Sequence, residues 1–328
     1  MQAIVTDGLT RKFNDLTAVD HVTLQIKKGE LFGLLGPNGA GKTTFIHMLC
    51  TILPPTEGTA KVAGFDIHQN PDSVRAAIGI VFQDPSLDNR LTGRENLDFH
   101  GRVYGMSKTQ REERIDEILK LVELEKRANT LIQTYSSGMR RRLEIARGLM
   151  HRPKIMFLDE PTLGLDPQTR RKIWEYIQML NKQEGTTILL TTHYMDEAEY
   201  LCDRVGIIDY GKIIVLDEPE KLKDQLEGDI VSLEVPQPKK YAEVFRGSKY
   251  VKEVKVVGDY LHLTVTGAEK TIPKLMQIIA KHKGKVRSVG LRSPTLEDVF
   301  IRYTGRGIRE EEGEAKDEMR LWMRARKG

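Results

Sequence analysis

Gly36–Thr44 reads GPNGAGKTT, and the order of residue types in it decides how the rest of the chain is read. It matches G-x-x-x-x-G-K-[ST], a loop that cradles phosphate. Gly36, Gly39 and Gly41, spaced by Asn38 and Ala40, let the backbone fold tightly and turn successive N–H groups toward one anion. Lys42 adds a point charge for the β- and γ-phosphates, the Thr43 hydroxyl is placed to ligate Mg²⁺, and Thr44 continues into the following helix. Upstream, Glu30–Leu35 (ELFGLL) has the apolar run of a buried strand; downstream, Lys42–Thr51 (KTTFIHMLCT) has the pattern of a helix. Strand, loop and helix in that order are what phosphate binding at a helix N-terminus requires. The stretch predicts a nucleoside-triphosphate site.

The chain of 328 residues predicts two domains with ample core, and 39% hydrophobic with 30% charged residues describes a globular protein. A net charge of +4 does not by itself argue for nucleic acid. No window approaches about eighteen consecutive apolar residues, and no charged-then-apolar leader opens the chain. Neither a membrane crossing nor a secretion signal is therefore expected. Cys50 and Cys202 suit a reducing cytosol and have no metal-binding spacing, so both are read as buried structural residues. The histidines form no H-x-x-x-H pair, and no zinc site is assigned.

Ala3–Leu9 and Val19–Lys27 read as strands of an antiparallel sheet, with Val22, Leu24 and Ile26 alternating against polar neighbours. Phe13, between them, reads from its surroundings as a plug for that sheet. Thr59–Phe65 and Ile78–Phe82 are further strands, the second ending at Gln83. From Asp84 to about Arg152 the character turns helical, with Ile115, Ile118, Leu119 and Val122 on one face, predicting a helical lobe inserted into an α/β core. Strands Ile155–Leu158 and Thr187–Thr191, separated by a helix that carries Ile173, Ile177 and Leu180, imply a parallel sheet. Beyond Gly228 the order strand, helix, strand, strand, helix, strand predicts a ferredoxin-like α+β domain, with a hairpin at Gly258-Asp259. From Arg309 an acidic run and then LWMRARKG read as a mobile tail, with Trp322 among Arg320, Arg324 and Arg326. The expected domains are 1–228 with the helical lobe at 84–152, then 229–306, then a charged tail at 307–328.

Asp159 ends an apolar strand, where a second Mg²⁺ contact is expected. Glu160 follows it and is placed to polarise a water facing a γ-phosphate, against the plainer reading of a helix-entry Glu before Pro161. His193, also at a strand end, could hold that phosphate or that water, and Gln83 offers a neutral oxygen for Mg²⁺. Arg140–Arg142 reads as a solvated helix face.

Taken together, Phe13, GPNGAGKTT, Gln83, TYSSGMRRRLEIARGL (Thr134–Leu149), IMFLDEPTLGLDP (Ile155–Pro167) and TTHYMDEAE (Thr191–Glu199) resemble the ATP-binding-cassette (ABC) family in order and spacing. The resemblance covers roughly residues 3–220. It implies ATP and Mg²⁺ as ligands and a RecA-like core with an antiparallel β subdomain and an inserted helical lobe. It also implies that Phe13 stacks on adenine, overturning the plug reading. Gln83 becomes the Q-loop residue, Asp159 the Walker B aspartate, Glu160 the catalytic base and His193 the switch histidine. Asp166, after Gly164 and Leu165, belongs to the loop that contacts an opposite subunit.

The signature reads YSSGM at Tyr135–Met139 where the family form is LSGGQ, so Tyr135, Ser137 and Met139 depart from it. The resemblance implies that Ser136, Ser137 and Gly138 bind the γ-phosphate of ATP held by a second copy. A Cβ at Ser137 is costly if that residue needs a positive φ. On that argument, ATPase activity is expected to be reduced but real, and Ser137→Gly to raise kcat. YSSGMRRRLEIARGL and the closing SPTLEDVFIRYTGR (Ser293–Arg306) resemble more narrowly the daunorubicin-resistance-type subfamily. That likeness implies a homodimer bridged by ATP and separate ABC-2-type transmembrane permease subunits, gripped near Asp84–Leu97. It implies export of a drug-like or lipid-like compound from a cytoplasmic position, peripheral on the inner face of the membrane, and no direct nucleic-acid partner. The other reading is a soluble cassette ATPase acting on nucleic acid or ribosomes. DNA-repair cassettes insert long coiled coils between P-loop and signature, and Lys42 to Ser136 is too short for one; translation-type cassettes carry two P-loops, and this chain has one.

Overall fold

A computed structural model describes residues 1–226, 228–282 and 284–304. The charged tail, including Trp322, Arg320, Arg324 and Arg326, lies outside the described residues, as do Gly305 and Arg306 of the closing stretch. The chain divides into two compact units at Asp217/Glu218.

In the first unit the order is β1 (Gln2–Phe13), β2 (Leu16–Lys27), β3 (Leu31–Leu35), α1 (Lys42–Leu49), β4 (Glu57–Val62), β5 (Phe65–Asp66), α2 (Pro71–Ala77) and β6 (Ile78–Val81). Then come α3 (Gly93–Val103), α4 (Lys108–Leu121), α5 (Ser137–Gly148), β7 (Ile155–Asp159), α6 (Pro167–Glu184), β8 (Thr187–Thr192), α7 (Met195–Leu201), β9 (Arg204–Asp209) and β10 (Lys212–Asp217). Two sheets result. One is antiparallel, β2-β1-β4-β5; the other is β10-β9-β3-β8-β7-β6, parallel except for β10 at its edge. Every residue of β3, β7 and β8 is buried, which is why those stretches read as unbroken apolar runs rather than alternating ones. Phe45, Ile46 and Leu49 of α1 pack with Phe32, Leu34, Phe157 and Leu189 from those strands, and with Val22, Leu24 and Ile26 of the first sheet. One core therefore joins the two sheets around the helix that starts at Lys42. Cys50 lies in this core and Cys202 is also buried, as the sequence indicated.

The inserted lobe is α3 to α5. Thr92 with Glu95 and Ser107 with Gln110 close reciprocal capping boxes at the starts of α3 and α4, and Ser136 caps α5. His100 of α3 sits 4.9 Å from the Tyr104 ring and 6.1 Å from His151, ring centre to ring centre. Burial, then the nearby Arg147 and His151, push its pKa down to about 4. The folded state thus holds the imidazole neutral while the unfolded chain protonates it near its ordinary 6.5. Stability from this site is complete above pH 6.5 and is lost as pH falls toward 4, a loss of roughly 1–2 kcal/mol after discounting for solvent screening. Urea midpoints at pH 7 and pH 4.5 should differ less in His100→Leu than in the parent; an equal difference would refute the assignment.

The second unit contains α8 (Pro219–Asp224), β11 (Asp229–Glu234), α9 (Pro238–Arg246), β12 (Glu253–Val257), β13 (Tyr260–Val265), α10 (Ala268–Lys281), β14 (Ser288–Arg292) and α11 (Leu296–Thr304). The sheet order β12-β13-β11-β14, antiparallel throughout, is the ferredoxin-like arrangement expected from the strand and helix order. The hairpin turns at Gly258-Asp259, with Val257 opposite Tyr260. The boundary lies before α8 rather than at 228/229, because α8 packs on α11. Arg302 donates to the Gln225 carbonyl at 2.7 Å and the Tyr303 hydroxyl to Gln225 Oε1 at 2.7 Å.

Candidate active site

β3, β8, β7 and β6 are adjacent and parallel, so the residues just past their C-terminal ends line one edge of the sheet. Such edges are where sheets of this kind bind ligands. That edge collects Gly36–Lys42 after β3, His193 after β8, Asp159 and Glu160 at the end of β7, and Gln83 after β6. Gly41 has φ +103°, and a Cβ there would overlap the Ala18 carbonyl oxygen, so only glycine fits the entry to α1.

The Lys42 ammonium is buried, with 4% of the side chain exposed. It donates to the carbonyls of Gly36 (2.8 Å) and Pro37 (3.0 Å) and lies 3.1 Å from Glu160 Oε1. Glu160 is itself nearly buried, and its other oxygen lies 3.3 Å from His193 Nδ1, without the alignment of a hydrogen bond. Burial alone would raise the Glu160 pKa, but His193 and Lys42 together outweigh it and hold the carboxyl below its ordinary value. Glu160 has φ +46°, a left-handed conformation that a non-glycine residue adopts at a cost of about 1–3 kcal/mol. This is not a helix entry. The strained turn aims the carboxylate between Lys42 and His193.

Thr191 of β8 holds the turn in place. Its hydroxyl donates to Asp159 Oδ1 at 2.5 Å and accepts the Glu160 N–H at 3.0 Å, while its carbonyl accepts the same N–H at 3.2 Å. Thr43 and Thr44 are half-buried in the first turn of α1, and Gln83 is exposed past β6. Among the described residues no group of three or more His, Cys, Asp or Glu could hold a metal by itself. The donor set of Thr43, Asp159 and Gln83 suits instead a hard cation held mainly by phosphate and water, as Mg²⁺ is.

The end of β1, the tip of the phosphate loop and the starts of α5 and α6 carry the other expected residues. Phe13 is 40% exposed at the end of β1, with the Arg11 guanidinium 4.5 Å from its ring centre, so it is not a core plug. Asn38 and Gly39 are exposed at the tip of the loop, and Ala40 is buried. Asp166 is exposed and caps α6 by accepting the N–H groups of Gln168 (3.1 Å) and Thr169 (3.0 Å). Ser136 and Ser137 are exposed at the start of α5, while Gly138 is buried where a Cβ would overlap the Thr169 methyl.

Ser137 corrects one expectation. It is the first residue of α5, and its φ is not positive. Glycine there would relieve no strain. Ser137→Gly is now expected to leave kcat within about threefold, because glycine lowers helix propensity slightly and removes one hydroxyl. A rise above that in steady-state hydrolysis would restore the strain argument.

The run Arg140–Arg142 corrects another. Arg141 is buried, not solvated. Its guanidinium donates to the carbonyls of Pro161 (2.6 Å), Phe82 (2.7 Å), Glu160 (3.0 Å) and Asp159 (3.1 Å), and to Glu144 Oε2 at 2.9 Å. It fixes the strand end that carries the two acidic residues and the segment just before Gln83. The apolar positions Leu143, Ile145 and Ala146 next to it, all buried, are the signal that could have oriented this helix.

Comparison with known proteins gives the family. A family model described as ABC transporter matches residues 19–163, and one described as ATP-binding protein DrrA1-3-like, C-terminal domain, matches residues 218–304. The linearmycin resistance ATP-binding protein LnrL of Bacillus subtilis is 38% identical over 93% of this chain and 99% of its own length. The daunorubicin/doxorubicin resistance ATP-binding protein DrrA of Streptomyces peucetius is 39% identical over 93% of each chain. Among solved structures, a dimeric ATP-binding cassette in a post-hydrolysis state with ADP and Pi has a TM-score of 0.60 at 30% identity, covering 66% of this chain and 98% of that one. The phosphate loop, the paired acidic residues after β7, the histidine after β8 and the appended ferredoxin-like unit therefore have one account: the chain belongs to the ABC family as the ATP-hydrolysing subunit of a transporter, in its daunorubicin-resistance-type branch.

Proposed function

We propose that two copies of this chain enclose two Mg-ATP molecules head to tail, and that the closing and opening of this pair drives export of a drug-like or lipid-like compound through separate ABC-2-type membrane subunits. In each site the N–H groups of Gly39 and Gly41–Thr44 and the Lys42 ammonium bind the β- and γ-phosphates, with Phe13 against the adenine. Thr43, Asp159 and Gln83 would hold Mg²⁺, which neutralises phosphate charge when bound. Glu160 accepts a proton from the water that attacks the γ-phosphorus, His193 holds the reacting group, and ADP and inorganic phosphate leave. Ser136, Ser137, Gly138 and Asp166 of the facing copy complete the pocket.

The observation that carries this reading is the buried Lys42–Glu160–His193 group, set at the sheet edge beside the phosphate loop. Exposed Ser136 and Ser137 at a helix N-terminus suit contact with a nucleotide on another copy. The dimeric relative with ADP and Pi supports the pairing, and the resistance proteins named above support export as the work done. Nod factor export ATP-binding protein I of Sinorhizobium fredii, 38% identical over 94% of this chain, likewise supports export. Among the described residues no helix is long and apolar enough to cross a membrane. No observation favours action on nucleic acid or ribosomes. With Mg-ATP, Glu160→Gln should elute as a dimer in size-exclusion chromatography and as a monomer without nucleotide; a monomer under both conditions would overturn the head-to-tail reading.

A further inference from the structure

The His193 ring has little directional bonding of its own within the site. Its Nδ1 lies 3.3 Å from Glu160 Oε2 but makes no aligned hydrogen bond, so packing must set the angle at which it faces that carboxylate. The imidazole packs on the ring of Tyr194, 4.1 Å centre to centre and tilted by 44°. Tyr194 in turn carries the guanidinium of Arg170, 3.9 Å from the ring centre. Tyr194 is the residue before α7 and makes no side-chain cap there; its N–H is fixed by the Thr192 hydroxyl at 2.9 Å, so its backbone is anchored to the end of β8 while its ring lies between His193 and Arg170. Arg170 has a buried Nε with no hydrogen-bond partner, and its nearest carboxylate, Asp196, is 3.8 Å away. A guanidinium held mainly by an aromatic face is a stacking residue, a role a lysine ammonium fills poorly.

Arg170 lies in the first turn of α6, and its N–H donates to the Asp166 carbonyl at 2.9 Å. The helix that presents Asp166 to the facing copy is therefore the helix that presents Arg170 to Tyr194. We propose that Arg170 and Tyr194 are positioning residues, a stacked column that sets the His193 ring against Glu160 and couples that setting to the Leu163–Asp166 loop. The proposal rests on the reading of Glu160 and His193 as the hydrolytic pair. The column moves no proton and touches no phosphate; it acts through the orientation of one ring. Small misplacement of a reacting group is costly, up to about 10²-fold for 1 Å.

The test is steady-state hydrolysis of Mg-ATP by the full chain, with thermal midpoints measured alongside. Tyr194→Leu and Arg170→Gln should each lower kcat by about tenfold with KM for ATP within about twofold of the parent. Tyr194→Phe, which keeps the ring, should restore kcat to within about twofold of the parent. Because both side chains act through one column, the double variant should be no slower than the slower single one. Unchanged kcat in Tyr194→Leu, losses that multiply in the double variant, or a Tyr194→Phe as slow as Tyr194→Leu would each overturn the proposal. Should Tyr194→Leu fail to fold, Arg170→Gln together with Tyr194→Phe carries the same decision. His193→Ala separates the two levels. If it retains full kcat, the hydrolytic reading of His193 falls and the column with it; if it is slow while Tyr194→Leu is not, the column alone falls.

Discussion

Replacing Glu160 by Gln is expected to lower kcat for ATP hydrolysis by about 10²–10⁴ while leaving ATP binding intact, since positioned general bases contribute factors of that size. The amide keeps the shape of the side chain and can still accept from Lys42, but it cannot take a proton from water. The structure sharpens this expectation. Lys42 and His193 flank the carboxylate and lower its pKa against the effect of burial, so Glu160 is ionised at neutral pH without any further partner. A group whose folded-state pKa is depressed contributes stability above its unfolded value of about 4.5, and that contribution disappears as pH falls through the folded-state pKa. Glu160→Gln should therefore melt below the parent at pH 7, and the gap should narrow below pH 4.5. Equal kcat for the variant would remove Glu160 from the chemistry. An unchanged melting gap across that pH range would show that its charge is not held by Lys42 and His193.

Much of this site was legible in the sequence because its parts are defined by local chemistry. A phosphate loop needs glycines at fixed offsets, and the apolar runs ending in Asp159 and Thr192 announce buried parallel strands whose ends face ligand. The β-α-β-β-α-β order was legible for the same reason: the elements after Gly228 are short and amphipathic, and Gly258 marks the hairpin. What escaped depends on contacts between segments distant in the chain. Arg141 reads as one of three consecutive arginines, and only the folded helix separates its fate from that of Arg140 and Arg142. Thr191 looks like any strand residue until its hydroxyl is seen between Asp159 and the Glu160 amide. Ser137 failed in the opposite direction. A departure from the family pattern suggested strain, whereas the helix start accepts serine with ordinary backbone angles. The boundary at Asp217/Glu218 was missed because α8 is short and its partner α11 lies far along the sequence.

Arg141→Ala is expected to cost about 3–5 kcal/mol, the usual penalty for removing one partner of a buried ion pair. Glu144 is 3% exposed and would be left charged without its ion-pair partner, keeping the Ser86 N–H at 3.0 Å and the longer-range charge of Arg147. The carbonyls of Phe82, Asp159, Glu160 and Pro161 would each lose a donor at the same time. For a unit of this size that loss lowers the thermal midpoint by roughly 6–20 °C. Arg141→Lys should recover only part of it, because an ammonium has three donors and cannot span the carbonyls that the planar guanidinium reaches. The neutral pair Arg141→Met with Glu144→Leu should be more stable than Arg141→Ala alone, since it strands no charge. Activity should fall further than stability explains. With Arg141 gone, the carbonyls of Asp159 and Glu160 lose the group that holds the strand end, and the strained turn at Glu160 is left to Thr191, the Leu163 N–H and the Lys42 contact. At a temperature where both proteins are folded, kcat of Arg141→Lys should therefore trail the parent by about tenfold or more. A variant within about 1 kcal/mol and twofold in kcat of the parent would mean that Arg141 is the solvated residue its neighbours suggest.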